Sequence, residues 1–169
     1  MGWMARALAA IGALVTLSAC DPSGQVYEDL RLARLKPGES TEQDVRKLFG
    51  TPESVRTVGG GKGLVYPLGP EGPYTLLIKI GADGKYQGRE DLLTRQNFSR
   101  IQPGQTQADV VALIARPGRE QEYKLKQETA WEWRFNDGAE TRMFVVMFNA
   151  AGQVVSTAIE EDPRRTGGR

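Results

Sequence analysis

The chain has 169 residues, 40% of them hydrophobic and 25% charged, so it can bury a core and falls outside the polar, charge-rich compositions of disordered chains. Lysine and arginine total 22 against 21 for aspartate and glutamate, which leaves no basic field for nucleic acid. Histidine is absent and cysteine occurs once. A histidine proton relay, the usual zinc ligand sets and an internal disulfide are thereby excluded.

Residues 1–19 place one cation, Arg6, ahead of an apolar run from Ala7 to Leu17 that ends in small residues, the layout of a secretory signal. The run is about half of the roughly 20 residues that a membrane-spanning helix needs. Its end reads Leu17-Ser18-Ala19-Cys20, which resembles the bacterial lipobox. That resemblance implies cleavage before Cys20, diacylglycerol on its sulfur and an acyl chain on its amine. Several acyl chains, at about 0.8 kcal/mol per buried methylene, exceed what stable anchoring needs. Cys20 is therefore expected to be a lipidation site, with residues 20–27 as the lipidated tether. Asp21 resembles the inner-membrane retention signal of enteric bacteria, so both envelope membranes stay open as the place of anchoring.

An internal duplication follows. Leu35-Lys36-Pro37-Gly38-Glu39-Ser40-Thr41-Glu42-Gln43-Asp44-Val45, with Leu48, Phe49, Gly50 and Pro52, returns as Ile101-Gln102-Pro103-Gly104-Gln105-Thr106-Gln107-Ala108-Asp109-Val110, with Leu113, Ile114 and Pro117. Further on, Leu76 to Ile80 with Asp83-Gly84 matches Phe144 to Phe148 with Ala151-Gly152. The period runs from 65 residues (Thr41 to Thr106) to 68 (Asp83 to Ala151). That is longer than the roughly 20–50 residues of a solenoid rung, so each copy reads as a small domain. The expected division is 28–96 and 97–163, with a basic tail at 164–169.

In each copy a threonine, Thr41 or Thr106, stands where it can cap a helix, with Asp44 or Asp109 in the first turn. Val45, Leu48 and Phe49, like Val110, Leu113 and Ile114, make one apolar stripe. Pro52 and Pro117 stop these helices. A further short helix is expected before each Pro-Gly, from Glu28 to Leu35 and from Thr94 to Ile101. Strands come next: Trp131, Trp133 and Phe135 alternate with Glu132 and Arg134, and turn residues gather at Asp83-Gly84, Asn136-Asp137-Gly138 and Ala151-Gly152. The fold class is α+β, each unit being helix, helix and an antiparallel meander of three or four strands. Met143 to Phe148 is apolar on both faces, and its second face is expected to be covered by the other unit, with a partner as the alternative.

The order of Pro-Gly, capping Thr, apolar helix, Gly-x-Pro and aromatic-rich meander resembles the SmpA/OmlA domain of the BamE family of small lipoproteins. Gly38, Thr41, Val45, Leu48, Gly50 and Pro52 stand at the matching positions of the first copy, and Gly104, Thr106, Val110, Leu113 and Pro117 at those of the second. Ala115 replaces the helix-ending glycine, so the second exit is expected to differ. The tandem arrangement is similar to the β-lactamase inhibitor protein, whose two repeats form a concave sheet. The resemblance implies an accessory or scaffold role in outer-membrane β-barrel protein assembly, with the barrel assembly machinery as partner and lipid head groups as a further contact. It also implies an envelope placement facing the periplasm. An inhibitor-like module for a periplasmic enzyme is the alternative.

Three other signals are weaker. Gly59-Gly60-Gly61-Lys62-Gly63 lacks the Gly-Lys-Ser/Thr ending of a phosphate loop and runs into Leu64-Val65-Tyr66, so it reads as a hairpin loop. The aromatic row of Trp131, Trp133 and Phe135 reads as core. Adjacent carboxylates such as Glu160-Glu161 and Glu90-Asp91 diverge on a strand or loop and suggest no acid–base pair. Neither enzyme activity nor cofactor, metal or small-molecule substrate is expected. The candidate partner face combines Tyr123, Lys124, Lys126, Glu132 and Arg134, whose mixture of aromatic and charged groups suits an interface.

Overall fold

The computed structural model describes residues 29–166. The signal segment 1–19, Cys20, Asp21, the 20–27 tether and the end of the basic tail lie outside the described residues. What is described is an α+β chain. A 3-10 turn at Leu32–Arg34 leads to helix α1 (Glu42–Phe49) and strands β1 (Ser54–Val58), β2 (Gly61–Pro67), β3 (Thr75–Ile80) and β4 (Tyr86–Asp91). Helices α2 (Arg95–Phe98) and α3 (Gln107–Ile114) precede β5 (Arg119–Tyr123), β6 (Glu128–Asp137), β7 (Glu140–Phe148) and β8 (Val154–Glu161), and α4 (Pro163–Thr166) follows. The strands form two antiparallel four-stranded sheets, ordered β1-β2-β3-β4 and β5-β6-β7-β8.

The same local chemistry starts α1 and α3. Thr41 Oγ1 accepts from Asp44 N–H at 3.3 Å while the Asp44 carboxylate accepts from Thr41 N–H at 2.9 Å. Thr106 and Asp109 repeat the exchange at 3.2 and 2.8 Å. Each reciprocal cap satisfies donors that a helix start leaves orphaned. The Pro-Gly loops dock alike as well. Gly38 N–H donates to Tyr86 O and Tyr86 N–H to Ser40 O, both at 2.8 Å, and Gly104 to Val154 and Val154 to Gln105 follow at 2.9 and 2.8 Å. The segments before them are shorter than the expected helices: the first is a 3-10 turn of three residues and the second a four-residue helix.

The Gly59-Gly60 pair makes the tight β1–β2 turn, with φ of 53° and 79°. Two successive positive φ values match the twist of a two-residue hairpin and favour glycine at both places. On the helix side of the first sheet, Leu64, Tyr66, Leu76, Ile78 and Ile80 pack with Val45, Leu32 and Leu35. On that side of the second sheet Trp131, Trp133, Phe135, Phe144, Val146 and Phe148 pack with Phe98, Val110 and Ile114. The aromatic row is thus core: Phe98 stacks on Phe144 at 4.0 Å between centroids and meets Phe135 edge-on at 4.8 Å.

The second helix exit does not differ from the first. Gly50 closes α1 with φ 82° and ψ −152°, and Ala115 closes α3 with φ 67° and ψ −174°. Backbone of that kind is ordinarily left to glycine. Nothing lies within 4 Å of where a Gly50 side chain would project. The Ala115 methyl is instead fully buried against Val65, Leu77 and Leu92, with Val58 beside them. An aromatic side chain on the second strand pins each exit: Tyr66 Oη donates to Gly50 O at 3.1 Å and Trp133 Nε1 to Arg116 O at 3.0 Å.

Candidate functional site

Alternation along the strands gives each sheet an outer face pointing away from its own helices. In the second sheet, register sets Arg134 opposite Met143, Glu132 opposite Val145 and Ala130 opposite Met147. Glu160, Ala158 and Ser156 lie beyond those residues on β8. Arg119 and Gln121 lie opposite Glu132 and Ala130 on β5, with Tyr123 opposite Glu128. The face is therefore an apolar strip of Ala130, Met143, Val145 and Met147 between polar margins.

The expectation that the other unit covers this strip is met only at one end, where Glu71 of the β2–β3 loop reaches Arg134 and lines a cavity with Met143. The strip's apolar cluster contains only residues of its own sheet among those described. The corresponding face of the first sheet is the more fully covered one, since Val65 and Leu77 there meet Ala115 at the α3 exit. Arg56 on β1 crosses the same seam and donates to Val111 O at 2.8 Å, a favourable place for a cation because it is the C-terminal turn of α3. Desolvation in the seam lowers the Arg56 pKa. The two faces are met by different elements: the end of α3 packs on the sheet before it, whereas the short α4 after β8 brings Pro163 and Arg164 beside Met143 at the margin of the second sheet.

The five expected contact residues divide into three sets. Tyr123 is exposed at the end of β5, and Lys124 and Lys126 are exposed in the β5–β6 turn, around Leu125. The turn closes through Lys126 N–H to Tyr123 O at 3.0 Å and leaves Gln127 at φ 52°. An open polar groove of about 670 Å³ runs beside it, lined by Gln107, Glu122, Lys124, Gln127, Glu128, Thr129 and residues 149–152. Glu132 is half-buried on the outer face, with Arg119 Nη1 at 3.7 Å from its carboxylate.

Arg134, expected as a contact at the surface, is buried instead. Its Nε and Nη2 donate to the two oxygens of Asp162 at 2.7 and 3.0 Å, and its Nη1 donates to Glu71 O at 2.8 Å. Such a fork-to-carboxylate pair uses the planar donors of arginine in full. The Arg134 guanidinium holds the Asp162 carboxyl below its ordinary value and is itself raised by that hydrogen bonding. The Glu71 carboxylate sits 3.5 Å from Arg134 Nη1 and also bonds Arg164. Glu71, Asp162, Arg119 and Arg164 are the residues that the sequence reading missed. A cavity of about 250 Å³ opens among Glu71, Arg119 and Arg164, lined also by Gly118, Glu132, Arg134, Met143 and Pro163.

Charges in this cavity are paired with one another, so its chemistry is that of a fastening between the β2–β3 loop and the second sheet. Among the described residues no group of three or more Asp, Glu, Cys or His side chains could hold a metal ion, and no helix is long and apolar enough to cross a membrane. What remains available for recognition is Met147, the half-buried end of an otherwise buried strip, together with the exposed Tyr123–Lys126 margin.

No family model and no curated protein matches the chain. It is similar to solved structures that include a candidate osmotically inducible lipoprotein, OsmE, at 18% identity over 41% of this chain and 68% of that one, with a TM-score of 0.34. A candidate β-lactamase inhibitor protein from Streptococcus mutans is 12% identical over 79% of this chain and 97% of that one, at a TM-score of 0.33. A DUF4309 family protein, YjgB, from Bacillus subtilis strain 168 is 15% identical over 76% and 83% respectively, at 0.28.

Proposed function

We propose that the chain is an envelope lipoprotein of the BamE type that acts by binding rather than by catalysis. Two copies of one SmpA/OmlA-like module, 28–96 and 97–163, are held at the membrane by an acylated Cys20 and face the periplasm. The role is that of an accessory or scaffold in outer-membrane β-barrel protein assembly, with the barrel assembly machinery as partner. The outer membrane is the placement proposed, and Asp21 supplies the case for the inner one.

The observation that carries the reading is the Met147 end of the outer face of the second sheet, where half-buried Met147 continues the buried row of Ala130, Met143 and Val145 and is bordered by exposed Tyr123 and charged groups. An apolar centre with a polar rim is the anatomy of a protein interface, and methionine adapts to irregular partner surfaces. Lipid-precursor labelling with membrane fractionation, followed by cross-linking in the membranes, tests it. Label on the parent and none on Cys20→Ser, with components of the barrel assembly machinery recovered by the parent and lost from Met147→Lys, is the expected result. Failure to label removes the anchor, and unchanged recovery from Met147→Lys removes the face.

A second reading, an inhibitor-like module for a periplasmic enzyme, draws on the tandem sheets. It uses the same face and separates cleanly: cross-linking then recovers one soluble hydrolase in place of assembly components.

A further inference from the structure

Four strands lie at sheet edges: β1 and β4 in the first sheet, β5 and β8 in the second. An unpaired edge offers its N–H and C=O groups to any extended strand, and proteins blunt such edges with charge, brevity and bulges. β1 has five residues with Arg56 at its centre. The ladder of β4 is broken by a register shift and carries Arg89, Glu90 and Asp91. β5 is five residues long and includes Arg119, Glu120 and Glu122.

The β8 edge is different. It is the longest of the four at eight residues. One irregularity, where the pairing passes from Phe148–Val154 to Met147–Ser156, lies near its start. Beyond that point Ser156, Thr157, Ala158 and Ile159 run in regular register without a charge, and the first three are exposed. Thr157 and Ile159 are β-branched, a type that favours strand pairing.

We propose that β8 joins a second copy of this chain, the two β8 strands pairing antiparallel about a twofold axis at Ala158 to make one continuous eight-stranded sheet. The strand is complementary to itself in that register. Ser156 lies opposite Glu160 of the second copy on the outer face, where its hydroxyl can donate to the carboxylate. Thr157 lies opposite Ile159 on the helix side, a pair of β-branched side chains, and Ala158, small and exposed, faces its own image. Such cross-strand pairs are the unit of sheet stabilisation. Glu161 falls opposite Val155, so no two like charges meet; moving the axis two residues onward would set Glu160 against Glu160. The contact uses the edge and leaves Met147 uncovered, so it stands apart from any partner held on that face.

The test is disulfide trapping in the full chain. At the axis the two Ala158 Cα atoms would lie about 4.5–5.5 Å apart, within the roughly 4.4–6.8 Å that a disulfide spans. Ala158→Cys, expressed and oxidised in membranes, is expected to give a disulfide-linked dimer several-fold above Val55→Cys on the β1 edge and Gln121→Cys on β5, with the parent as the control for Cys20. No dimer from Ala158→Cys, equal dimer from Val55→Cys, or linkage of Ala158→Cys to a different protein overturns the proposal. Ala158→Glu supplies an independent arm, because it places two like charges on the axis at an exposed site. Sedimentation of the solubilised protein should move from dimer to monomer with an unchanged circular dichroism spectrum. A dimer that survives that change also overturns it.

Discussion

The two sheets have the same strand order and the same capped helix in front, yet their outer faces meet different fates. Val65 and Leu77 on the first are sealed by Ala115 from the second half, whereas at the corresponding register positions Glu132 and Val145 meet nothing apolar from the first. The lesson is geometric. When two like units pack head to tail, each contact uses a different surface on each unit. On the second sheet the corresponding face is closed at one end by Glu71 and Arg164 through charge rather than by an apolar seam, and its half-buried Met147 end is where we place recognition.

The comparison breaks most severely at the fastening between the halves. Arg134→Ala leaves Asp162 buried without its partner, and urea unfolding should show a loss of about 3–5 kcal/mol. Acid attacks the same pair by a gentler route. The folded pKa of Asp162 is depressed by Arg134, so the stability it contributes is fully present above the ordinary carboxylate value and is lost as pH falls through the depressed one. Between those two values the stability of the parent should fall with decreasing pH, and that slope should be shallower in Arg134→Ala.

The next largest contrast is between the faces themselves. Leu77→Ala opens a hole in the sealed seam and should cost about 2–5 kcal/mol, while Val145→Ala, buried but packed only among apolar side chains of its own sheet, should cost about 1–2 kcal/mol and weaken partner recovery instead. Equal losses with no effect on recovery would mean that the two faces are not in different states.

The helix exits sharpen the comparison further. Gly50→Ala forces a side chain into glycine backbone with nothing to touch, for an expected loss of about 1–3 kcal/mol. Ala115→Gly relieves the same strain but empties the seam, so thermal unfolding should place it within about 1 kcal/mol of the parent. Smallest is the difference between the caps: Thr41→Ala and Thr106→Ala should each cost about 1 kcal/mol, because their hydrogen bonds match to within 0.1 Å.

Local chemistry was legible along the chain. The Thr-Asp pairs start both helices, the glycine pair turns β1 into β2, and the alternation of Trp131, Trp133 and Phe135 identified the buried side of β6. These signals lie within a few residues of one another, so spacing exposes them. The site was less legible. Arg134 looked like a surface charge because its partners stand 28 and 63 residues away, at Asp162 and Glu71. The Ala115 exit looked altered because sequence reports the missing glycine and not the Val65, Leu77 and Leu92 side chains that hold an alanine in its place. Which outer face is covered depends on the direction in which the second half packs on the first, and no residue pattern within either half encodes that.

The most direct measurement is photo-cross-linking in intact envelope membranes from position 147, compared with position 79, its counterpart on the first sheet. The account predicts that a probe replacing Met147 forms an adduct containing a barrel assembly component, while the same probe replacing Lys79 forms none. Adducts of equal yield at both positions, or at neither, would contradict it.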